Sequence, residues 1–463
     1  MLGIRVSRRA FLARAAVGGG AALLGTVASA CAPKTPEPEA EPAATAPVQQ
    51  AQAAAPAADG ITLRFLAYQG RWGRHQVEFA QRFAEENKPT VKEVVIEEAA
   101  FADAAKKIEA YLVTGTMPDA GYVDTAFFPY LAVKGAFQAI DELAASAGLD
   151  LSQRFNQSFY AKFTDGKHMA IGGAAGITPA MVVYNKTMAQ EKGVKLPHDD
   201  WTIDEFEEFV IAMSDKEKRI FGCYYIFDGS HGCDGWFRRW GGRFLSEDGK
   251  TCMFADPKTQ DGFKWQMRMV KEGYWAGRED VTEGPNKMFV TGALASYITN
   301  AGLAGSAKEG IGDAFEYDFV LLPKGPLCET TNPCRGFAPY ANAIWSSSQT
   351  KHPDLAFGMQ AKVTSPECSR WSVYNLGRNP GSDMSVWRDP EILKDYPIWG
   401  KIADLMENPA GQFPMPDNLR YLEYMDVGNA AYGALGYGDV EYNEANVMEA
   451  QTKVQAILDM SRP

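Results

Sequence analysis

The chain has 463 residues, with 58 acidic against 46 basic side chains, a formal charge of −12 and 46% hydrophobic residues. That acidity argues against nucleic acid or an anionic membrane surface as a partner. The length predicts two or more domains' worth of core, and five histidines are few for metal or general-base chemistry.

In chain order, Ser7-Arg8-Arg9-Ala10-Phe11-Leu12 comes first. Paired arginines ahead of a short apolar run read as a twin-arginine export signal. The run from Ala15 to Ala30 is too short to span a bilayer core of about 30 Å, which takes roughly 20 apolar residues. Ala28-Ser29-Ala30 reads as a cleavage site, and the same residues ahead of Cys31 resemble a lipoprotein box in which Cys31 is acylated. Both endings stay open at this point. Residues 32–59 are almost entirely Ala, Pro, Glu, Gln and Thr, a composition that forms a tether and no core. The signal therefore takes residues 1–31 and the tether 32–60. The four arginines of residues 1–31, which hold no acid, leave the remainder more acidic still.

Ile61 to Leu66 alternates as a strand. The loop Tyr68–Gln76 follows, then a helix with Val77, Phe79, Phe83 and Ala84 in an apolar stripe. Val91 to Ile96 reads as a second strand, residues 101–115 as a helix, and Gly121 to Asp124 as a third strand. Strands alternating with helices imply a largely parallel α/β sheet. Thr202 with Glu205 forms a capping box before the next helix. Six cysteines follow Cys31; Cys223 with Cys233 and Cys328 with Cys334 are the local pairs predicted as disulfides. No CxxC or nearby histidine points to a metal site, and no cofactor is expected.

The ordered set of motifs carries more than any one of them. Gly115 with Pro118-Asp119, Gly135, Gly166-Lys167, Met181 to Lys186, Gly193 with Pro197 and Trp201-Thr202, Gly292 to Ala295, residues 319–326, and His352 to Ala356 run along residues 61–463. Together they resemble the bacterial extracellular solute-binding proteins of the maltose-binding class. The Trp201-Thr202 order departs from the family's Thr-Trp.

The resemblance implies a two-lobe, type II periplasmic-binding-protein-like α/β fold with discontinuous lobes joined by hinge crossovers. Lobe 1 would take 61–172 plus 320–365 and lobe 2 would take 173–319 plus 366–463, with Gly172, Gly173 and Gly176 at the hinge. It also implies a monomeric carbohydrate-binding subunit of an ABC importer. Such a subunit has ABC permease transmembrane subunits as partners, a membrane contact only through a lipid anchor, and no chemistry of its own. Candidate ligand contacts are Tyr68, Arg71 and Trp72 in the first βα loop, and Asp124, which would either accept sugar hydroxyls or cap a helix. Trp236 and Trp240 are core or stacking residues. Asn300, Arg335, Gly336, Arg378, Arg420 and Tyr421 are placed by position, with surface or interlobe ion pairs as the other reading of the arginines. Trp371 and Tyr374 read as packed helical residues. Two other classes stay open: the same fold holding a uronate, polyamine or phosphate ester, and an exported carbohydrate-active enzyme using paired carboxylates.

Overall fold

β1, Ile61–Tyr68, buries Leu63, Phe65, Leu66 and Ala67 and is followed by the helix Arg74–Glu86, whose inner face carries Phe79, Ala80 and Phe83. This computed structural model describes residues 60–300, 310–327, 335–408, 412–413 and 418–460. The expectations at Arg8, Arg9, Cys31, residues 32–59, and Cys328 with Cys334 lie outside the described residues.

β2 (Val91–Ala99) and β3 (Ala120–Val123) both pair parallel to β1, as the βα pattern predicts. The helix Phe101–Thr114 connects them and ends on Gly115, whose φ of 69° is the left-handed conformation that glycine adopts without strain. β4 (Ile171–Thr178) is followed at once by β5 (Met181–Asn185), which pairs with β6 (Ser296–Thr299) and β7 (Tyr317–Leu321) in a separate antiparallel sheet. β8 (Ala338–Ser346) returns to the first sheet between β3 and β4. The strand orders are therefore β2-β1-β3-β8-β4 and β6-β5-β7.

The glycines expected at the hinge lie inside β4. A Cβ added at Gly172 would come 2.8 Å from the Ser382 Cβ, and one at Gly173 would come 2.9 Å from Ile344. They permit close packing of an irregular strand against β8, and the chain leaves the first sheet after Thr178. Cys223 and Cys233 are free, buried thiols. The Cys233 Sγ lies 3.2 Å from the Ile226 carbonyl and the Cys223 Sγ 3.8 Å from the Tyr224 carbonyl, both within one core cluster and not joined as the expected disulfide.

Two helices near the end of the chain differ in role. Pro366–Leu376 packs on Arg74–Glu86, with the Trp371 ring 6.0 Å from Phe79. Tyr374 on the same helix is exposed rather than packed. Tyr421–Gly436 and Glu444–Leu458 pack on one another, and Tyr432 stacks 4.0 Å from Phe254.

Candidate functional site

The carboxyl ends of β1 and β3 open onto a cavity of about 400 Å³, the place where parallel α/β sheets offer ligand sites. Tyr68 ends β1. The following turn, Gly70–Gly73, doubles back so tightly that a Cβ on Gly73 would sit 1.6 Å from the Tyr68 carbonyl oxygen. Glycine there is what brings Trp72 onto the cavity beside Tyr68. The Tyr68 N–H donates to Gln76 Oε1 at 2.8 Å, so the first turn of the helix holds the end of the strand.

Asp124 lies one residue past β3. Its Oδ1 accepts from the Ala126 N–H at 3.0 Å, and its other oxygen takes no hydrogen bond among the described residues. The turn-capping role and a role at the cavity therefore coexist. Burial pushes the Asp124 carboxyl up to about 6, offset in part by the Ala126 N–H. Beside it, burial and the Asp124 charge raise the Tyr122 phenol well above its ordinary value, and the Tyr122 ring meets Tyr68 edge-on at 5.0 Å.

Arg378 enters from the segment after the helix Pro366–Leu376. Its guanidinium stacks over Trp72 at 4.9 Å, donates through Nη1 to the Trp72 carbonyl, and lies 3.4 Å from His75 Nδ1. Burial and the Arg378 charge hold the His75 imidazole neutral, so it offers a lone pair and no competing charge. Arg71 braces the same contact from the other side by donating to the Leu376 carbonyl at 2.7 Å.

The second sheet contributes Asn300, just past β6, and Tyr225 with Ser230 from the connection ahead of the helix His231–Phe237. Tyr340 and Asn342 come from β8. Around this cavity Tyr122 Oη, Asn342 Oδ1, Asn379 Oδ1 and Arg378 Nε are buried and make no hydrogen bond among the described residues. Other buried atoms without a partner, Trp236 Nε1 and Trp345 Nε1 among them, lie away from the cavity.

A family model described as bacterial extracellular solute-binding protein matches residues 78–370. The chain belongs to this family. Solved structures similar to this solute-binding protein include an ABC substrate-binding protein from Listeria monocytogenes in complex with cycloalternan. It is 19% identical, with a TM-score of 0.71 over 86% of this chain and 99% of that one. A solute-binding protein from Thermotoga lettingae bound with α-D-tagatose is 16% identical, with a TM-score of 0.70 and coverage of 86% and 99%. One from Agrobacterium vitis with bound D-mannitol is 19% identical, with a TM-score of 0.69 and coverage of 86% and 97%. At these identities the likeness shows the fold, the type II two-lobe architecture expected from the motifs. No helix among the described residues is long and apolar enough to cross a membrane.

Of the residues singled out in sequence, Tyr68, Trp72, Asp124, Asn300 and Arg378 line the cavity of this solute-binding protein; the others do not. Trp236 is fully buried among Phe206, Trp240, Trp265 and Trp275. Trp240 meets it edge-on at 5.5 Å. Arg335 donates to the carbonyls of Leu322 and Asp199, tying down the crossover after β7. The Gly336 carbonyl accepts from Arg239 at 3.2 Å. Arg420 pairs with Glu423 at 2.6 Å, and Tyr421 is buried against Phe127 and Tyr424.

Sequence reasoning missed Gln76, Tyr122, Tyr225, Tyr340, Asn342 and Asn379. Tyr122 had a usable signal, two residues before Asp124 on the same short strand. Tyr340 and Asn342 alternate along β8 with buried Ala341 and Ala343, a period-two pattern legible only once one face of that strand is known to meet the cavity.

Proposed function

We propose that this protein is the extracytoplasmic substrate receptor of an ABC importer, holding a sugar or polyol between two lobes and delivering it to the permease by hinge closure. The observation that carries this reading is the meeting of the aromatic rings Tyr68, Trp72 and Tyr225 with the polar side chains of Asp124, Asn300, Asn342 and Arg378 at one cavity. Sugars present apolar C–H faces, which aromatic rings cover, and a rim of hydroxyls that donate and accept at once. The sugars and polyols named for similar solved structures accord with it.

The lobes in this reading are built on the two sheets, near the division 61–172 plus 320–365 against 173–319 plus 366–463, with β4 continuing the first sheet to Thr178, β7 keeping Val320 and Leu321 in the second, and Pro366–Leu376 packed on the first. The protein performs no chemistry on its cargo and works as a monomer. The twin-arginine pair exports it folded, and an acylated Cys31 tethers it through residues 32–60.

Isothermal titration with sugars, followed by recovery of the ligand and NMR, tests the receptor reading. Saturable binding with the sugar returned intact is expected; turnover of the sugar would overthrow it. Incorporation of labelled palmitate into the wild type but not into Cys31→Ala tests the anchor.

A further inference from the structure

Resting on the sugar-binding reading above, we propose that the cavity is selective for one neutral hexose or hexitol, with Asp124 accepting from its hydroxyls and Arg378 donating to them. Size is the first ground. The cavity holds about 400 Å³. That lies toward the small end of ligand pockets, about 300–1,000 Å³, which favours a short ligand over a long oligosaccharide.

Charge is the second ground. Among the described residues lining the cavity, Asp124 and Arg378 alone carry charge, and neither is a partner of the other. Arg378 is directed instead to the neutral His75 and the Trp72 carbonyl, and Asp124 to a backbone N–H. Each buried charge is thus left to be answered by what enters. A uronate answers Arg378 but sets a second anion near Asp124. A polyamine answers Asp124 but confronts Arg378. Leaving a buried charge uncompensated is costly, and a neutral polyol satisfies both, because every hydroxyl donates and accepts.

The third ground is the mixture of polar groups on the lining. Asn300 and Asn342 carry amides, and Tyr122, Ser230 and Tyr340 carry hydroxyls, groups that both donate and accept. Neutral hydroxyls answer both kinds at once, whereas a carboxylate group offers only acceptors and an ammonium group only donors.

The test is a titration of the purified protein with named probes, read by calorimetry and thermal shift. The neutral set is D-glucose, D-galactose, D-mannose, D-fructose, D-mannitol and D-sorbitol. The contrasting set is D-glucuronate, D-galacturonate, spermidine and maltotriose. At least one neutral single-unit probe is expected to bind saturably and about tenfold or more tighter than every contrasting probe, and Asp124→Asn is expected to weaken that probe by about tenfold or more at an unchanged fold. Tighter binding of a uronate or of spermidine overturns the charge argument. Tighter binding of maltotriose overturns the size argument while the sugar-binding reading stands. Wild-type affinity in Asp124→Asn overturns the role of Asp124. Silence from all probes at millimolar concentration overturns the inference and the receptor reading together.

Discussion

Two glycine- and arginine-rich aromatic segments, Tyr68–Gln76 and Ser230–Gly241, look alike in sequence and end in opposite places. The first delivers Tyr68 and Trp72 to a cavity. The second buries Trp236 completely and turns Trp240 against it. The difference is one of backbone. In the first, a four-residue turn closed on Gly73 cannot bury its own side chains and sets Trp72 at the mouth of the sheet. In the second, Ser230 caps the helix His231–Phe237, and the inward face of that helix carries Trp236 into Phe206, Trp265 and Trp275. Ser230 and Gly232 at the start of this segment still line the cavity, and the aromatic contact from that side of the molecule is Tyr225, whose ring lies 6.3 Å from Trp236. A composition that suits a binding loop equally suits a helix whose inner face needs bulk.

The contrast can be broken most sharply at Trp236. Trp236→Ala removes a fully buried side chain, and a loss of about 3–5 kcal/mol of stability is expected, measured by urea unfolding, with affinity per folded molecule little changed. A stable Trp236→Ala protein that has lost binding would reverse the assignment. Trp72→Ala is expected to do the opposite. Affinity for a bound sugar should fall by about tenfold as a ring face and the contact over Arg378 are lost, while the unfolding midpoint moves little.

The pH response sharpens the same site, since Asp124 faces Tyr68, Tyr122, Tyr160 and Tyr340, with Arg378 as the cation. Its carboxyl holds a proton to about pH 6 in the folded protein, whereas the unfolded chain releases it near the model-peptide value of about 3.9. Between those values the folded state binds more protons, so this group's contribution to ligand-free stability declines as pH rises. Ligand hydroxyls donate to the ionised form, so affinity should run the other way, rising by about tenfold from pH 5 to pH 7. Calorimetry at several pH values checks this, and Asp124→Asn should flatten the profile. The smallest effect is expected at Tyr374→Ala. This ring is exposed on the helix Pro366–Leu376, and stability should stay within about 0.5 kcal/mol with affinity unchanged; a clear loss of binding would extend the site onto that helix.

Much of the frame was legible without coordinates. The alternation at Ile61–Leu66, the stripe on Phe79 and Phe83, and the Thr202 to Glu205 capping box are local, and the structure keeps them because local hydrogen bonds and one-sided burial decide them. The ordered motifs indicated the family and the two-lobe fold. Tyr68, Trp72 and Asp124 were legible because strand ends of a parallel sheet lead to its ligand edge.

The tertiary structure alone decided the rest. Gly172 and Gly173 read as hinge residues, and only the fold shows that they lie in a strand with Ser382 and Ile344 pressed on them from distant parts of the chain. Cys223 and Cys233 read as a pair, yet the fold buries both in one core as free thiols. Arg335, Arg378 and Arg420 are chemically identical in sequence. One ties two carbonyls, one stacks on Trp72 at the cavity, and one pairs with Glu423. A sequence specifies that a guanidinium is present; which partner it meets depends on contacts hundreds of residues apart, and those are set only when the sheets and helices pack.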